Sequence, residues 1–201
     1  MIRLNLDEGS NMKQLAVIVS SFGLTLALLG CAGGESTEPA QPVAEPSGQA
    51  DSAAPTEAVA RIEPTSGNQL SGTATFRSTD RGVSLTLAVE NAPPGEHAFH
   101  LHEVGDCSAP DGTSAGGHWN PTGRDHGAWG AEPFHLGDVG NLIVGDDGRG
   151  SIELTTDLWS IGGGAPDDVV GRAVIVHAGV DDFTTQPTGA AGGRIGCGVI
   201  Q

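Results

Sequence analysis

The sequence predicts an all-β domain, an eight-stranded antiparallel Greek-key β-sandwich or small barrel. Two observations favour this fold class. Glycine is the commonest residue, with 32 of 201 positions, and aromatic residues make up only 4%, a composition from which long amphipathic helices are hard to build. From residue 58 onward, short apolar or alternating segments recur between turn-forming residues. Short strands joined by Gly-rich turns are typical of sandwiches and barrels.

Eight segments of this part of the chain are predicted to be strands. Residues 83–89 alternate apolar and polar side chains, which indicates a strand with one buried face. Residues 91–95 contain two prolines and a glycine, which predict a turn before the next strand. The predicted strands, all antiparallel and half-buried, are 58–62, 70–76, 83–89, 97–102, 139–144, 151–154, 173–177 and 195–200.

The strand pattern stops between residues 105 and 137. This stretch is rich in Gly, Pro, Asp and His. A loop of about thirty residues in a compact domain is usually either functional or disordered. We therefore expect this long loop to carry part of the functional site.

The first residues are predicted to be a targeting segment. Residues 15–29 form a mostly apolar run after a positive start, which is typical of a secretory signal and too short for a comfortable membrane span. Leu-Leu-Gly before Cys31 resembles a bacterial lipobox. We therefore expect residues 1–30 to be a lipoprotein signal peptide and the sulfur of Cys31 to carry the lipid. Translation is expected to begin at Met12, because the acidic residues before it do not suit a signal. An uncleaved anchor and a plain signal are the alternatives.

Residues 31–57 are predicted to be the lipidated cysteine and a disordered linker. After Cys31 the linker has no Lys, Arg or aromatic residue and is rich in Pro, Ala and Glu, so it cannot bury enough apolar surface to offset its ordering entropy. The folded domain is expected to span residues 58–201. This organisation places the protein outside the cytoplasm, lipid-anchored to a bacterial membrane and facing the periplasm or the cell surface.

Net charge and cysteine content limit the possible partners and the possible cellular compartment. The formal net charge of −16 argues against a nucleic-acid partner, which selects a basic surface. The domain has two cysteines, Cys107 and Cys197, which outside the cytoplasm allow one pairing, with two free thiols as the alternative. No large apolar patch is evident, so a monomer and a homodimer both remain open.

Histidines are the candidate metal ligands. Side chains i and i+2 of a strand share a face, so His100 and His102 point together, whereas His97 has the opposite parity. Alone this pair is weak evidence, because strand histidines often only bond to neighbours. The long loop and a later strand add His118, His126, His135, Asp138 and His177. Imidazole suits copper and zinc, and there are too many nitrogens for one tetrahedral ion, which indicates two metals.

Several motifs jointly resemble one family. They are Gly-x-His-x-Phe-His-x-His from residue 95, Gly-Asp-Cys from 105, His-x-Asn-Pro from 118, His-Leu-Gly-Asp from 135, and Gly-Gly-Arg-Ile-Gly-Cys-Gly-Val-Ile ending at 200. Together they resemble copper/zinc superoxide dismutase over essentially the whole domain, an enzyme with a sandwich fold. The resemblance implies one copper and one zinc per subunit. It also implies dismutation of superoxide to oxygen and hydrogen peroxide by alternate reduction and reoxidation of copper.

The resemblance implies a role for each motif residue. The implied copper ligands are His100, His102, His118 and His177. The implied zinc ligands are His118, His126, His135 and Asp138, with His118 bridging the two ions. Asp181 would link ligands of both metals by accepting ring N–H bonds, and Arg194 would attract and orient the anion beside copper. Cys107 and Cys197 match the family's disulfide.

One loop departs from the family pattern. In the better-known members the loop equivalent to residues 183–188 is longer and carries charged residues thought to guide the substrate. Here it is short and uncharged. We therefore expect a rate below that of the fastest members and a weaker decline with salt. The rival functions are a non-catalytic copper/zinc-binding lipoprotein and a mononuclear zinc hydrolase, for which no free carboxylate base is evident.

Overall fold

The computed structural model describes residues 55–201. The predicted signal peptide, the lipidation site Cys31 and almost all of the predicted linker lie outside the described residues. Within them, eight antiparallel strands close into a barrel in the order β1-β2-β3-β6-β5-β4-β7-β8, which confirms the predicted all-β fold class. The strands are β1 (Glu57–Pro64), β2 (Ser71–Thr79), β3 (Gly82–Glu90), β4 (Gly95–His102), β5 (Gly140–Val144), β6 (Gly150–Thr156), β7 (Ala173–His177) and β8 (Arg194–Val199).

All eight strands lie where the sequence predicts them. The largest difference is at β2, which ends at Thr79 instead of at residue 76. The barrel core is filled by alternate positions, as in β3, where Val83, Leu85, Leu87 and Val89 are buried. Among the described residues, no helix has the length and apolar character needed to cross a membrane.

The expectation that every strand is half-buried is wrong for the part of the barrel around β7. All five residues of β7 are buried, as are the last six of β4 and the middle four of β8. The reason is a second layer outside the barrel. Ile175 and Cys197 pack there against Ala115 and the partly buried Cys107, both of which belong to the long loop.

The long loop runs between β4 and β5, and a disulfide and backbone hydrogen bonds are among the contacts that fasten it to the barrel. A disulfide joins Cys107 to Cys197, with 5.8 Å between the Cα atoms, so the predicted pairing is confirmed. Leu101, at the end of β4, donates its N–H to the carbonyl of Gly137 (2.9 Å) and accepts the N–H of Trp119 (2.9 Å). A side chain at Gly137 would overlap the carbonyl oxygen of Leu101, so only glycine allows this approach.

Candidate metal centre

Two adjacent strands and one loop residue supply the first group of histidines. His100 and His102 point to one face of β4, as the strand parity predicts, and His177 ends the neighbouring β7. His118, on the long loop, pairs with His102 through an isolated bridge. One ring nitrogen from each of these four buried histidines lies within 4.8 Å of the others. The structure thus brings together the four predicted copper ligands.

The inward nitrogens of this group have no hydrogen-bond partner in the protein. They are Nδ1 of His100 and Nε2 of His102, His118 and His177. In three of these residues the opposite nitrogen donates to an acceptor: Asp181 Oδ2 for His100 (2.8 Å), the Gly116 carbonyl for His102 (2.9 Å) and the Gly192 carbonyl for His177 (3.3 Å). Four buried lone pairs directed at one point are costly unless something binds them. The donor set therefore fits a metal ion that prefers nitrogen, such as copper.

The second group converges on one carboxylate oxygen. Nδ1 of His118, His126 and His135 lies 2.7, 3.0 and 3.0 Å from Oδ1 of Asp138, and these four ligand atoms lie within 4.8 Å of one another. Nε2 of His126 and His135 faces an acceptor elsewhere, Asp181 Oδ1 (2.9 Å) and the Arg124 carbonyl (3.0 Å). Their Nδ1 lone pairs would therefore repel Asp138 unless a cation lay between them. Three nitrogens and one oxygen suit tetrahedral zinc.

His118 belongs to both groups. Its Nε2 is one of the four unpartnered nitrogens, and its Nδ1 faces Asp138. Each of the other five histidines of the two groups uses its outer ring nitrogen to donate to a carbonyl or carboxylate oxygen. His118 has no such outer contact. This is the arrangement expected of an imidazole that bridges two ions.

Asp181 joins the two groups from behind. Its carboxylate accepts from Nε2 of His100 and of His126, and also from the backbone N–H of Phe183 (2.8 Å). Burial acts to raise the pKa of Asp181, but these hydrogen bonds outweigh it and the pKa is lowered. Asn141 fixes the backbone: its Oδ1 accepts the Asp181 N–H (2.8 Å) and its Nδ2 donates to the Asp181 carbonyl (3.0 Å). Sequence reasoning missed this role of Asn141.

Burial keeps the ligands in the form that binds metal. It is the main cause that lowers the pKa of His118 to about 4, of His177 to about 3 and of His102 to about 2, with repulsion from neighbouring histidines adding to it. Burial acts to raise the pKa of Asp138, but hydrogen bonds from His118 and from the N–H groups of His135 and Gly127 hold it well below its usual range. At neutral pH these three rings are therefore neutral and the Asp138 carboxylate is charged, as ligation requires.

Arg194 lies beside the first group. The register of β7 and β8 shifts after Val176, so that Arg194 pairs with His177. Its half-buried guanidinium donates to the carbonyls of Gly112 and Gly116, each at 2.6 Å, and the Gly116 carbonyl also accepts from His102. Burial lowers the pKa of Arg194, an effect that the charge of Asp111 opposes. The long loop thus holds this cation in a fixed place at the rim.

His97 lies apart from both groups. It is buried, and its two ring nitrogens face the backbone carbonyls of His177 (2.9 Å) and Pro93 (2.8 Å). It therefore links β4 to the end of β7 as a structural residue, in agreement with its strand parity.

Comparisons with known proteins show the family of the chain. Residues 70–200 match the family model described as copper/zinc superoxide dismutase. A curated relative, superoxide dismutase [Cu-Zn] 1 of Aquifex aeolicus (strain VF5), is 37% identical over 134 residues, which cover 65% of this chain and 79% of the relative. Among solved structures, the clock protein EA4 is 37% identical with a TM-score of 0.65 and covers 73% of this chain and 94% of its own. A SOD-like protein from Bacillus subtilis is 31% identical with a TM-score of 0.62, over 70% of this chain and 95% of its own.

Proposed function

The chain belongs to the copper/zinc superoxide dismutase family, and we propose that its metal centre converts superoxide to oxygen and hydrogen peroxide by redox cycling of a single copper ion. In this proposal copper binds to His100, His102, His118 and His177. Zinc binds to His118, His126, His135 and Asp138, one ion of each metal per subunit. The observation that carries the proposal is the position of His118, whose two ring nitrogens face the two ligand groups.

The protein residues bind the anion and supply a proton. Bound copper supplies the one-electron chemistry, and bound zinc is redox-inert. Arg194 attracts superoxide and orients it, because a guanidinium stays charged and presents paired donors. Nε2 of His118 has no acceptor in the protein, so in its unligated form this nitrogen would take a proton from water and give it to the reduced dioxygen species, which would take its second proton from water. Asp181 keeps the rings of His100 and His126 in the orientation that the two groups need.

The cellular setting is part of the proposal. We propose that Cys31 carries a lipid and that the domain works outside the cytoplasm at a bacterial membrane. Support comes from the signal-like first residues and from the disulfide between Cys107 and Cys197, which persists in an oxidising compartment.

The decisive experiment measures superoxide consumption by the full chain loaded with copper and zinc, together with its metal content and the copper EPR spectrum. We expect rapid dismutation, and we expect His118→Ala to abolish it. Arg81→Ala, at an exposed position in the turn between β2 and β3, is the matched control and should leave the rate unchanged. Full activity of His118→Ala would contradict the assignment. A fully loaded but inactive wild type would favour a metal-binding lipoprotein instead.

A further inference from the structure

The short loop after β7 holds a zinc-side ligand by its backbone. The side-chain amide of Gln186 pairs with both polar groups of the His126 backbone. The His126 N–H donates to Oε1 of Gln186 (2.8 Å), and Nε2 of Gln186 donates to the His126 carbonyl (2.8 Å). This pairing imitates a strand partner and joins two loops that are far apart in sequence. No motif that the sequence analysis quotes includes Gln186.

The loop that presents Gln186 is fixed by its own bonds. The Asp182 N–H donates to the Gly189 carbonyl (2.9 Å), and the Gly189 N–H donates to the Thr185 carbonyl (2.7 Å), so the segment 182–189 is closed on itself. The Asp182 carboxylate accepts the N–H groups of Thr184 (2.9 Å) and Thr185 (2.8 Å) and the hydroxyl of Thr185 (2.5 Å). Gln186 is therefore presented by a loop segment whose backbone is fixed by hydrogen bonds at both ends.

The same loop also packs against the bond between Asp181 and His126. Gly189 has a left-handed backbone (φ +64°), and a Cβ atom there would overlap Asp181 Oδ1 and meet Nε2 of His126 at 2.6 Å. Glycine lets the backbone close over this bond. The loop thus holds His126 at two points, its backbone through Gln186 and its ring through Asp181.

We propose that Gln186 is a positioning residue for zinc, and that the segment 182–189 serves to retain the metal where longer loops of the family carry charged residues. The proposal rests on the zinc ligand set of the proposed function. His126 lies in a stretch of the long loop without strand pairing, and its backbone bonds to the Gln186 side chain. Without Gln186, the ring of His126 would reach the zinc position only part of the time. Mutation of a residue that hydrogen-bonds to a metal ligand commonly lowers the affinity for the metal by one to two orders of magnitude.

The effect should be selective for zinc. Two of the copper-side histidines, His102 and His177, bond to the carbonyls of Gly116 and Gly192, which lie outside the segment 182–189. A general weakening of the fold would change both metals. Loss of the Gln186 contact should change zinc alone.

The test is zinc release from the copper- and zinc-loaded full chain to a chromogenic chelator. Gln186→Met keeps the length of the side chain and removes both hydrogen bonds. We expect roughly tenfold faster zinc release, unchanged copper content, and shifted visible bands when cobalt(II) replaces zinc. Thr188→Val is the matched control in the same loop, since its hydroxyl makes no hydrogen bond to any described residue, and it should behave like the wild type. Unchanged zinc release and an unchanged cobalt spectrum in Gln186→Met would overturn the proposal, as would an equal effect in Thr188→Val.

Two further measurements keep the test decisive. In the metal-free protein the amide of His126 should exchange faster in Gln186→Met, whereas amides of β7 should not change. If Gln186→Met does not fold, Gln186→Asn keeps the amide but is one methylene too short, and we expect the same loss of zinc. Zinc release does not depend on turnover, so a wild type that binds zinc without dismutating superoxide would overturn the proposed function and leave this inference standing.

Discussion

The two halves of the metal centre are held by different kinds of structure. On the copper side, His100, His102 and His177 stand on adjacent barrel strands, and the β4–β7 hydrogen-bond ladder sets their spacing. On the zinc side, His126 and His135 stand on a loop without strands. His126 is held by hydrogen bonds to Asp181 and Gln186, and His135 by hydrogen bonds to Asp138 and the Arg124 carbonyl. Strand register survives the loss of one contact, whereas a loop held by single contacts does not. The zinc half should therefore depend on each partner, and the copper half on the barrel.

The largest expected effect is at Asp138, where this difference is sharpest. Asp138→Ala removes the oxygen on which three Nδ1 atoms converge, and also the acceptor for the N–H groups of Gly127 and His135. We expect stoichiometric zinc binding to be lost while copper still binds to its four histidines, as measured by metal analysis and by calorimetric titration. Asp125→Asn changes an exposed acid that precedes His126 in the chain and is the control. Retained zinc would show that the loop holds its histidines without the carboxylate.

The next largest effect concerns the free energy of unfolding. It also tests whether the copper half depends on the long loop in addition to the barrel strands. Replacing Cys107 and Cys197 by serine opens a link between residues 90 apart, which is worth on the order of 4–5 kcal/mol of unfolding free energy in the chain-entropy model. Denaturant unfolding of the metal-loaded protein measures it. The same change should loosen the carbonyl of Gly116, which holds His102 and Arg194, so the copper half should also lose anion affinity. An unchanged free energy of unfolding and an unchanged KM would show that the barrel alone supports the copper side.

The sequence predicts the copper half better than the zinc half, and for the same physical reason. The period of two in a strand places His100 and His102 on one face and sets His97 apart, and the structure agrees. No comparable rule relates loop residues that are distant in the chain. The contacts of Gln186 with His126 and of Asn141 with Asp181 therefore had no signal in spacing or composition. The pairing of Arg194 with His177 depends on a register shift that strand patterns do not reveal.

The roles of two glycines and the burial of β7 were likewise not predicted from the sequence pattern. Gly137 and Gly189 allow close approach of the backbone, to the Leu101 carbonyl and to the Asp181 carboxylate, and neither role has a signal in the sequence pattern. The full burial of β7 was also missed: its continuous apolar run is compatible with burial on both faces, but the strand pattern does not identify the loop that folds back over the outer face. Long-range packing of this kind is decided by the whole fold.

The smallest expected effect tests whether the segment 182–189, the short loop after β7, takes any part in guiding the substrate. The net charge is −16, and residues 183–193 carry no charged side chain, so attraction of an anion must be local. Strong steering raises association rates by 10–10³ and weakens steeply with salt, whereas a half-buried cation held at 2.6 Å by two carbonyls acts within a few ångströms and is little screened. We expect kcat/KM to fall by roughly threefold or less as the ionic strength rises and the Debye length shrinks from about 30 Å to about 8 Å, and to fall further in Arg194→Ala at any single salt concentration. Stopped-flow decay of superoxide measures both. A steep salt dependence that persists in Arg194→Ala would mean that other charges guide the anion, and the loop after β7 would then have to be reconsidered as part of the substrate path.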